Sequence, residues 1–227
     1  NSTAVVVNLI TSNPCDTLNG YGYVEYGSYN RFRAEAAAGG PITSKIGVRL
    51  AATVDQGGGF MDGKGAGSFA GRVFVPGTPG IPDPGVRDNY GDRDVFAARG
   101  TFEVKPDETT DIILKIYGSR DRSENQLGDS VGGVNNGGWI EPDNDPFTFY
   151  SNNYPKRAID FYGNSLQIGQ ELSDAVRLDV VLGYQWGERE LRGGTGTPRR
   201  QFDYIFRDKV QQYTAEARLS SQGEGPL

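Results

Sequence analysis

Histidine is absent from this chain of 227 residues, and cysteine and methionine occur once each. Without histidine, the Ser/His/Asp triad, the Cys/His dyad and the usual His-containing zinc sites cannot be assembled from it. Most hydrolase chemistries go with them, and the chain reads as a protein that is not an enzyme and needs no cofactor. Cys15 has no partner for an intrachain disulfide and no cationic neighbours to make a reactive thiolate. No apolar run approaches the roughly 18 residues of a membrane helix, and Asn1 to Val7 lack the basic start and apolar stretch of a signal peptide. Helical anchoring is thereby excluded. Membrane strands are not, because their alternation averages out as polar.

Basic surface is also scarce. The formal charge of -6 leaves no broad positive face for a polyanion, so nucleic acid is not an expected partner. What is abundant is glycine, at 33 residues, with 12 Tyr and 11 Phe. Glycine and proline interrupt the chain too often for long helices, while Tyr, Phe, Val and Thr suit pleated surfaces. The expected class is all-β.

Period-two alternation marks about eight segments of the length a tilted membrane strand needs, roughly 9 to 11 residues. They lie near 21–28, 31–39, 45–56, 94–105, 111–120, 158–171, 176–187 and 210–220. In the third, Ile46, Val48, Leu50, Ala52 and Val54 oppose Arg49, Thr53 and Asp55. In the seventh, Val176, Leu178, Val180, Leu182, Tyr184 and Trp186 oppose Arg177, Asp179 and Gln185. In the last, Tyr213, Ala215, Ala217 and Leu219 oppose Thr214, Glu216 and Arg218. The second, fourth and fifth agree, and the first and sixth have no assignable faces. A water-soluble β-sandwich separates its faces in the same way, so alternation alone leaves the two readings open. Strict exclusion of charge from one face favours lipid, where a midplane Arg or Lys costs roughly 2–4 kcal/mol. Tyr184, Trp186, Phe32 and Phe96 fall at the ends of the segments, where an interfacial aromatic girdle would stand.

Connections point the same way. Short turns at 41–44, 106–110 and 173–175 alternate with long stretches at 57–91, 123–156 and 188–208, putting turns on one rim and loops on the other. Outer-membrane barrels have this asymmetry, whereas such loops are uncommon in compact soluble domains. The turn at Tyr29 and Asn30 is a short connection on the long-loop rim.

Several stretches resemble a known family. Val6-Val7-Asn8-Leu9-Ile10-Thr11 with Pro14 looks like the end of the plug of TonB-dependent outer-membrane receptors. Gly20-Tyr21 through Tyr26-Gly27-Ser28-Tyr29-Asn30 is similar to their first barrel hairpin, and Gly91-Asp92-Arg93-Asp94 through Ala98-Arg99-Gly100 to a later strand. Glu216-Ala217-Arg218-Leu219-Ser220-Ser221, leading to Gly225-Pro226, resembles a further strand and turn. The resemblance implies an antiparallel up-and-down transmembrane barrel of about 22 strands closed by a plug. Residues 1–13 would be the plug's C-terminal remnant, and 14–227 the first part of the wall, truncated on its C-terminal side. It further implies a parent protein in the bacterial outer membrane, with outer-membrane lipid around it. The parent would take up a scarce extracellular ligand such as a ferric siderophore, with TonB acting through the plug region that this chain lacks. The alternatives are a soluble β-sandwich binding or adhesion module and a small eight-stranded structural barrel.

The candidate sites follow from the loops and the charged faces. Trp139, Phe147, Phe149, Tyr150 and Tyr154 crowd one long loop, and Phe202 and Tyr204 the next; they are candidates to stack on a ligand, or to pack on one another. Glu141, Asp143 and Asp145 form a weak calcium candidate that lacks the EF-hand glycine and terminal glutamate. Arg33, Glu35, Arg49, Arg99, Glu103, Arg177, Asp179, Glu216 and Arg218 are expected to face the lumen, forming cross-strand ion pairs and contacting the plug.

Overall fold

A computed structural model describes residues 12–14, 16–63, 89–124, 145–149, 155–194 and 203–221. Its strands are β1 (Asn19–Gly27), β2 (Arg31–Thr43), β3 (Ile46–Gly57), β4 (Met61–Gly63), β5 (Asn89–Tyr90), β6 (Arg93–Val104), β7 (Thr110–Asp121), β8 (Thr148–Phe149), β9 (Lys156–Ser173), β10 (Val176–Gly194) and β11 (Asp203–Ser221). Eight of them form one antiparallel sheet in the order β1-β2-β3-β6-β7-β9-β10-β11, so the long strands pair in the order they leave the chain. This is an all-β, up-and-down barrel wall, and the eight segments read from alternation are its eight strands. Tyr29 and Asn30 both have positive φ, 61° and 54°. They are the two central residues of a turn closed by the Arg31 amide, which donates to the Ser28 carbonyl at 3.2 Å within the three-residue connection 28–30.

The wall is built inside out relative to a soluble sheet. On β3 the apolar side is exposed, with Leu50 at 57%, while Asp55 on the charged side is at 6%. Leu182 and Leu219 are 43% and 66% exposed, and no second layer covers them among the described residues. A sandwich would bring these leucines together in a dry centre, so that alternative is overturned. So is the closed eight-stranded barrel: among the described residues β1 pairs only with β2, and β11 only with β10.

Register assigns the two segments whose faces the sequence left open. Glu35 opposite Tyr23 puts Tyr21, Tyr23 and Glu25 of β1 on the charged side, leaving Gly20, Gly22, Val24 and Tyr26 on the apolar one. Glycine carries no hydropathy signal, which hid that face. On β9, Tyr162, Leu166 and Ile168 stand opposite Trp186, Leu182 and Val180. Asn164, opposite Tyr184, interrupts the apolar face and obscures its pattern.

Rungs of the sheet do not run level with the apolar zone. The outward rung through Val24, Ala34, Val54 and Phe96 continues into Arg120, Asp160, Glu188 and Lys209. Strands spaced about 4.8 Å and tilted about 40° change height by about 20 Å over the full rung, most of an apolar band about 25 Å tall. Tilted strands crossing a slab of fixed height would produce this slippage.

One connection differs from the expectation. Residues 188–208 are not a long loop, because β10 runs on to Gly194 and β11 begins at Asp203. Consecutive ion pairs hold this extension: Glu188–Lys209 at 3.3 Å, Arg189–Asp208 at 2.9 Å and Glu190–Arg207 at 2.8 Å. Charges on both faces hide a strand from hydropathy, and cross-strand complementarity stabilises it in water. Trp186 and Tyr184 therefore lie within β10 and not at its end.

Candidate functional site

The long-loop rim of the charged face carries the most developed site. The Tyr29–Asn30 turn puts Arg31 opposite Gly27; on its other side Arg31 lies against Gly57, where a Cβ would come within 3.3 Å of its Cα, and β6 puts Arg93 opposite Gly57. Asp55, two residues earlier on the same face, lies between these arginines. Arg31 donates to both of its oxygens at 3.1 Å, and Arg93 Nε donates to Oδ2 at 2.5 Å. The carboxylate is buried and the arginines are half exposed, so the trio is a fixed acid offering two guanidinium edges to the space above it.

That space is roofed by parts of two loops. Met61–Gly63 pairs antiparallel with Asn89–Tyr90 and parallel with Thr148–Phe149. This three-stranded sheet joins the connection after β3 to the one after β7. Tyr90, 1% exposed, and Met61 form a small core of their own. Tyr29 meets Phe60 edge-on with centroids 6.3 Å apart. Glu124 accepts the Gly91 amide at 2.5 Å, where Gly91 takes φ 98°, a conformation that favours glycine.

Beneath the roof is a hollow of about 660 Å³ that admits Arg31, Arg93, Arg157, Glu124, Tyr29, Phe60 and Phe147. Its size lies in the range of small-molecule sites, roughly 300–1,000 Å³. Arg157 bonds Asp121 through Nη1 at 3.3 Å, while its Nε is buried with no partner among the described residues. Its lining mixes three guanidiniums, paired with Asp55 and Asp121, with the carboxylates of Asp92 and Glu124 and three aromatic rings, so it offers both donors and acceptors beside ring faces.

Deeper along the charged face is a second hollow of about 420 Å³, with Tyr21, Glu35, Arg99, Tyr117 and Phe161 in its lining. Tyr117 stacks on Phe161 at 6.0 Å and accepts from Gln185 Nε2 at 3.0 Å. Its ring lies over Gly163, where a Cβ would come within 2.8 Å of it.

The residues expected to face the lumen all lie on this charged side. Arg33 and Glu35 pair along β2, with Nε to Oε1 at 3.0 Å, and Glu103 pairs with Lys105 at 3.0 Å. Arg49 reaches Asn19 at 2.9 Å. Arg177 gathers Asp111 at 2.6 Å and Asp179 at 3.0 Å. Glu216 and Arg218 are exposed on β11, opposite Val181 and Asp179. Pairing thus runs along strands as often as across them. Pro14 approaches this same face at Gly47, where a Cβ would meet it at 2.8 Å, so the segment ahead of β1 arrives from the charged side.

The loop aromatics fare differently. Trp139, Tyr150, Tyr154 and Phe202 lie outside the described residues, as do Glu141 and Asp143, residues 1–11 and therefore most of the expected plug remnant. Phe147 is exposed at the rim hollow, and Phe149 belongs to β8. Tyr204 is a correction: it sits on β11, not in a loop, and its ring lies over Gly193 and 5.2 Å from Phe206. Asp145 is engaged in the turn into β8, accepting the Phe147 amide at 2.9 Å.

This single-layered wall, with ion pairs on one face, exposed leucines on the other and a ligand-sized hollow at its looped rim, has a counterpart among solved structures. The chain shares its fold with the ferric yersiniabactin uptake receptor FyuA from Yersinia pestis. The two align with a TM-score of 0.62 at 14% sequence identity, over 95% of this chain and 30% of that one. The chain thus spans less than a third of that receptor's length. No protein-family model and no curated protein sequence matches the chain.

Arg31, Asp55, Arg93, Arg157 and Phe60 were not among the sequence candidates. A signal for three of them was present: Arg31, Asp55 and Arg93 share strand parity and all sit where strands meet the long-loop rim.

Proposed function

We propose that this chain is part of a TonB-dependent outer-membrane receptor that takes up a scarce extracellular ligand, most fittingly a ferric siderophore, without chemical conversion. The observation that carries the reading is the inverted wall: exposed leucines on one side, part-buried ion pairs on the other, and an apolar zone that slips along the rungs as tilted strands in a lipid slab would require. The fold shared with an uptake receptor supports it. The rim hollow would supply the capture site, with the half-exposed Arg31 and Arg93 and the carboxylates of Asp92 and Glu124 meeting polar groups of the ligand and Tyr29, Phe60 and Phe147 its rings. TonB would act through sequence beyond this chain, on a plug held against the charged side that Pro14 already approaches.

The test uses the full-length protein. It is expected to stay with outer membranes until detergent is added, to migrate faster before boiling than after, and to support growth on a ferric siderophore under iron limitation. Extraction into plain buffer would refute the membrane placement, and unchanged growth on a panel of ferric siderophores after gene deletion would refute the ligand class.

A further inference from the structure

The hairpin of β10 and β11 exchanges its two faces above the apolar zone. Up to Trp186 its outward side is apolar and its lumen side polar, with Gln185 opposite Gln212. Beyond that point the outward side carries the ion pairs Glu188–Lys209 and Glu190–Arg207. On the lumen side of the same stretch, the Arg189–Asp208 pair is followed by Leu191 opposite Phe206 and then by Gly193 opposite Tyr204. Phe206 is 58% exposed, and the Tyr204 ring lies 5.2 Å from it, over Gly193. Strand pairing runs on to Gly194 and Asp203, so these apolar side chains stand on a ladder and form a fixed ledge.

The ledge is level with the rim hollow and on the same side of the sheet. Leu191 is opposite Arg157 of β9, which has the parity of Phe161. The Arg157 amide donates to the Ser123 carbonyl at 3.0 Å, and both residues line the hollow. Leu191 therefore begins one strand spacing from the lining, about 5 Å, and Phe206 stands one spacing farther on. The Arg189–Asp208 pair bounds the ledge on its lower side. An apolar surface held in water beside a polar hollow marks a place that receives apolar groups. We infer that the ligand of the rim hollow carries an alkyl tail, which leaves the hollow past Arg157 and lies along Leu191 and Phe206. The hollow takes the polar part and the ledge takes the tail, so the substrate class is an amphiphilic ferric chelator. The outward side of the hairpin, with its ion pairs, offers the tail no such surface.

The inference rests on the capture reading proposed above, and its test separates the two. The full-length protein in lipid vesicles is titrated with ferric hydroxamate, catecholate and hydroxycarboxylate chelates, each bearing either an acetyl or an octanoyl group, and binding to empty vesicles is subtracted. At least one chelate is expected to bind in both forms, the octanoyl form about tenfold tighter, a modest part of what full burial of its extra CH₂ groups would give. Leu191→Ser combined with Phe206→Ser should bring the two forms within about twofold of each other. Ile205→Ser, on the outward side of the same hairpin, should keep the preference. Heat-modifiable migration confirms that each variant is folded; if the double variant loses it, Phe206→Ser alone is read in the same way. If no chelate binds in either form, the capture reading fails and the tail site with it. If chelates bind without preference for the octanoyl form, or if the preference survives in the folded variant, the tail site is refuted and capture stands.

Discussion

Trp186 of β10 stacks on Tyr162 of β9, and the next outward residue along β10 is Glu188, bonded to Lys209. Within two residues the outer face passes from aromatic to ionic, which locates the upper edge of the apolar zone on this side of the wall. Leu182→Arg is expected to cost about 2–4 kcal/mol of folding free energy in lipid vesicles, and an arginine at Glu188 about 0–1. Urea titration followed by heat-modifiable migration measures both; equal costs would remove the boundary.

Asp55 ties three strands together at the rim. Asp55→Ala leaves Arg31 and Arg93 without their shared carboxylate, but both stay about half exposed. The expected loss is about 1–2 kcal/mol, below the about 3–5 of a fully buried pair. It should be read from the urea midpoint, with a parallel drop in ligand affinity if the hollow above it is the capture site.

Acid should loosen the tip of the β10–β11 hairpin late. Arg207 foremost, then Arg192, hold the Glu190 carboxyl below its ordinary value, against an opposing contribution from burial. Lys156 of β9 faces it as well. A lowered folded-state value stabilises the hairpin above the ordinary glutamate range, about 4.3, and that contribution is lost as pH falls through the lowered value. Amide protection near Glu190 should therefore persist through the ordinary glutamate range and decline only below it. Glu190→Gln should flatten the decline; an unchanged profile would assign it to another group.

Gly163 accommodates the Tyr117 ring. Gly163→Val should displace that ring, break its bond from Gln185 and cost about 1–3 kcal/mol. Combining it with Tyr117→Ala should cost less than the sum of the two single changes, as a double-mutant cycle would reveal.

Much of the wall was legible because strands with one apolar and one charged face advertise both, and period-two hydropathy found all eight of the large sheet. It failed where hydropathy stops reporting: at the glycine-rich outer face of β1, at Asn164, and along 188–194 and 203–208, where the strand continues in water. There the readable signal is the sign of opposed charges. The rim site was less legible because Arg31, Asp55 and Arg93 are far apart in sequence and only register unites them. Strands β4, β5 and β8, two or three residues each, carry too few side chains to form a pattern.

Those three short strands change how a signal would spread. Asp62 is opposite Thr148, and its amide donates to the Phe147 carbonyl at 2.6 Å. If the hollow is the proposed capture site, a ligand pressing on Phe147 would be felt at Met61 and Tyr90 directly, across a few hydrogen bonds, without travelling down the wall. The described parts of the two connections would then respond together, and occupancy would register on both sides of the mouth at once.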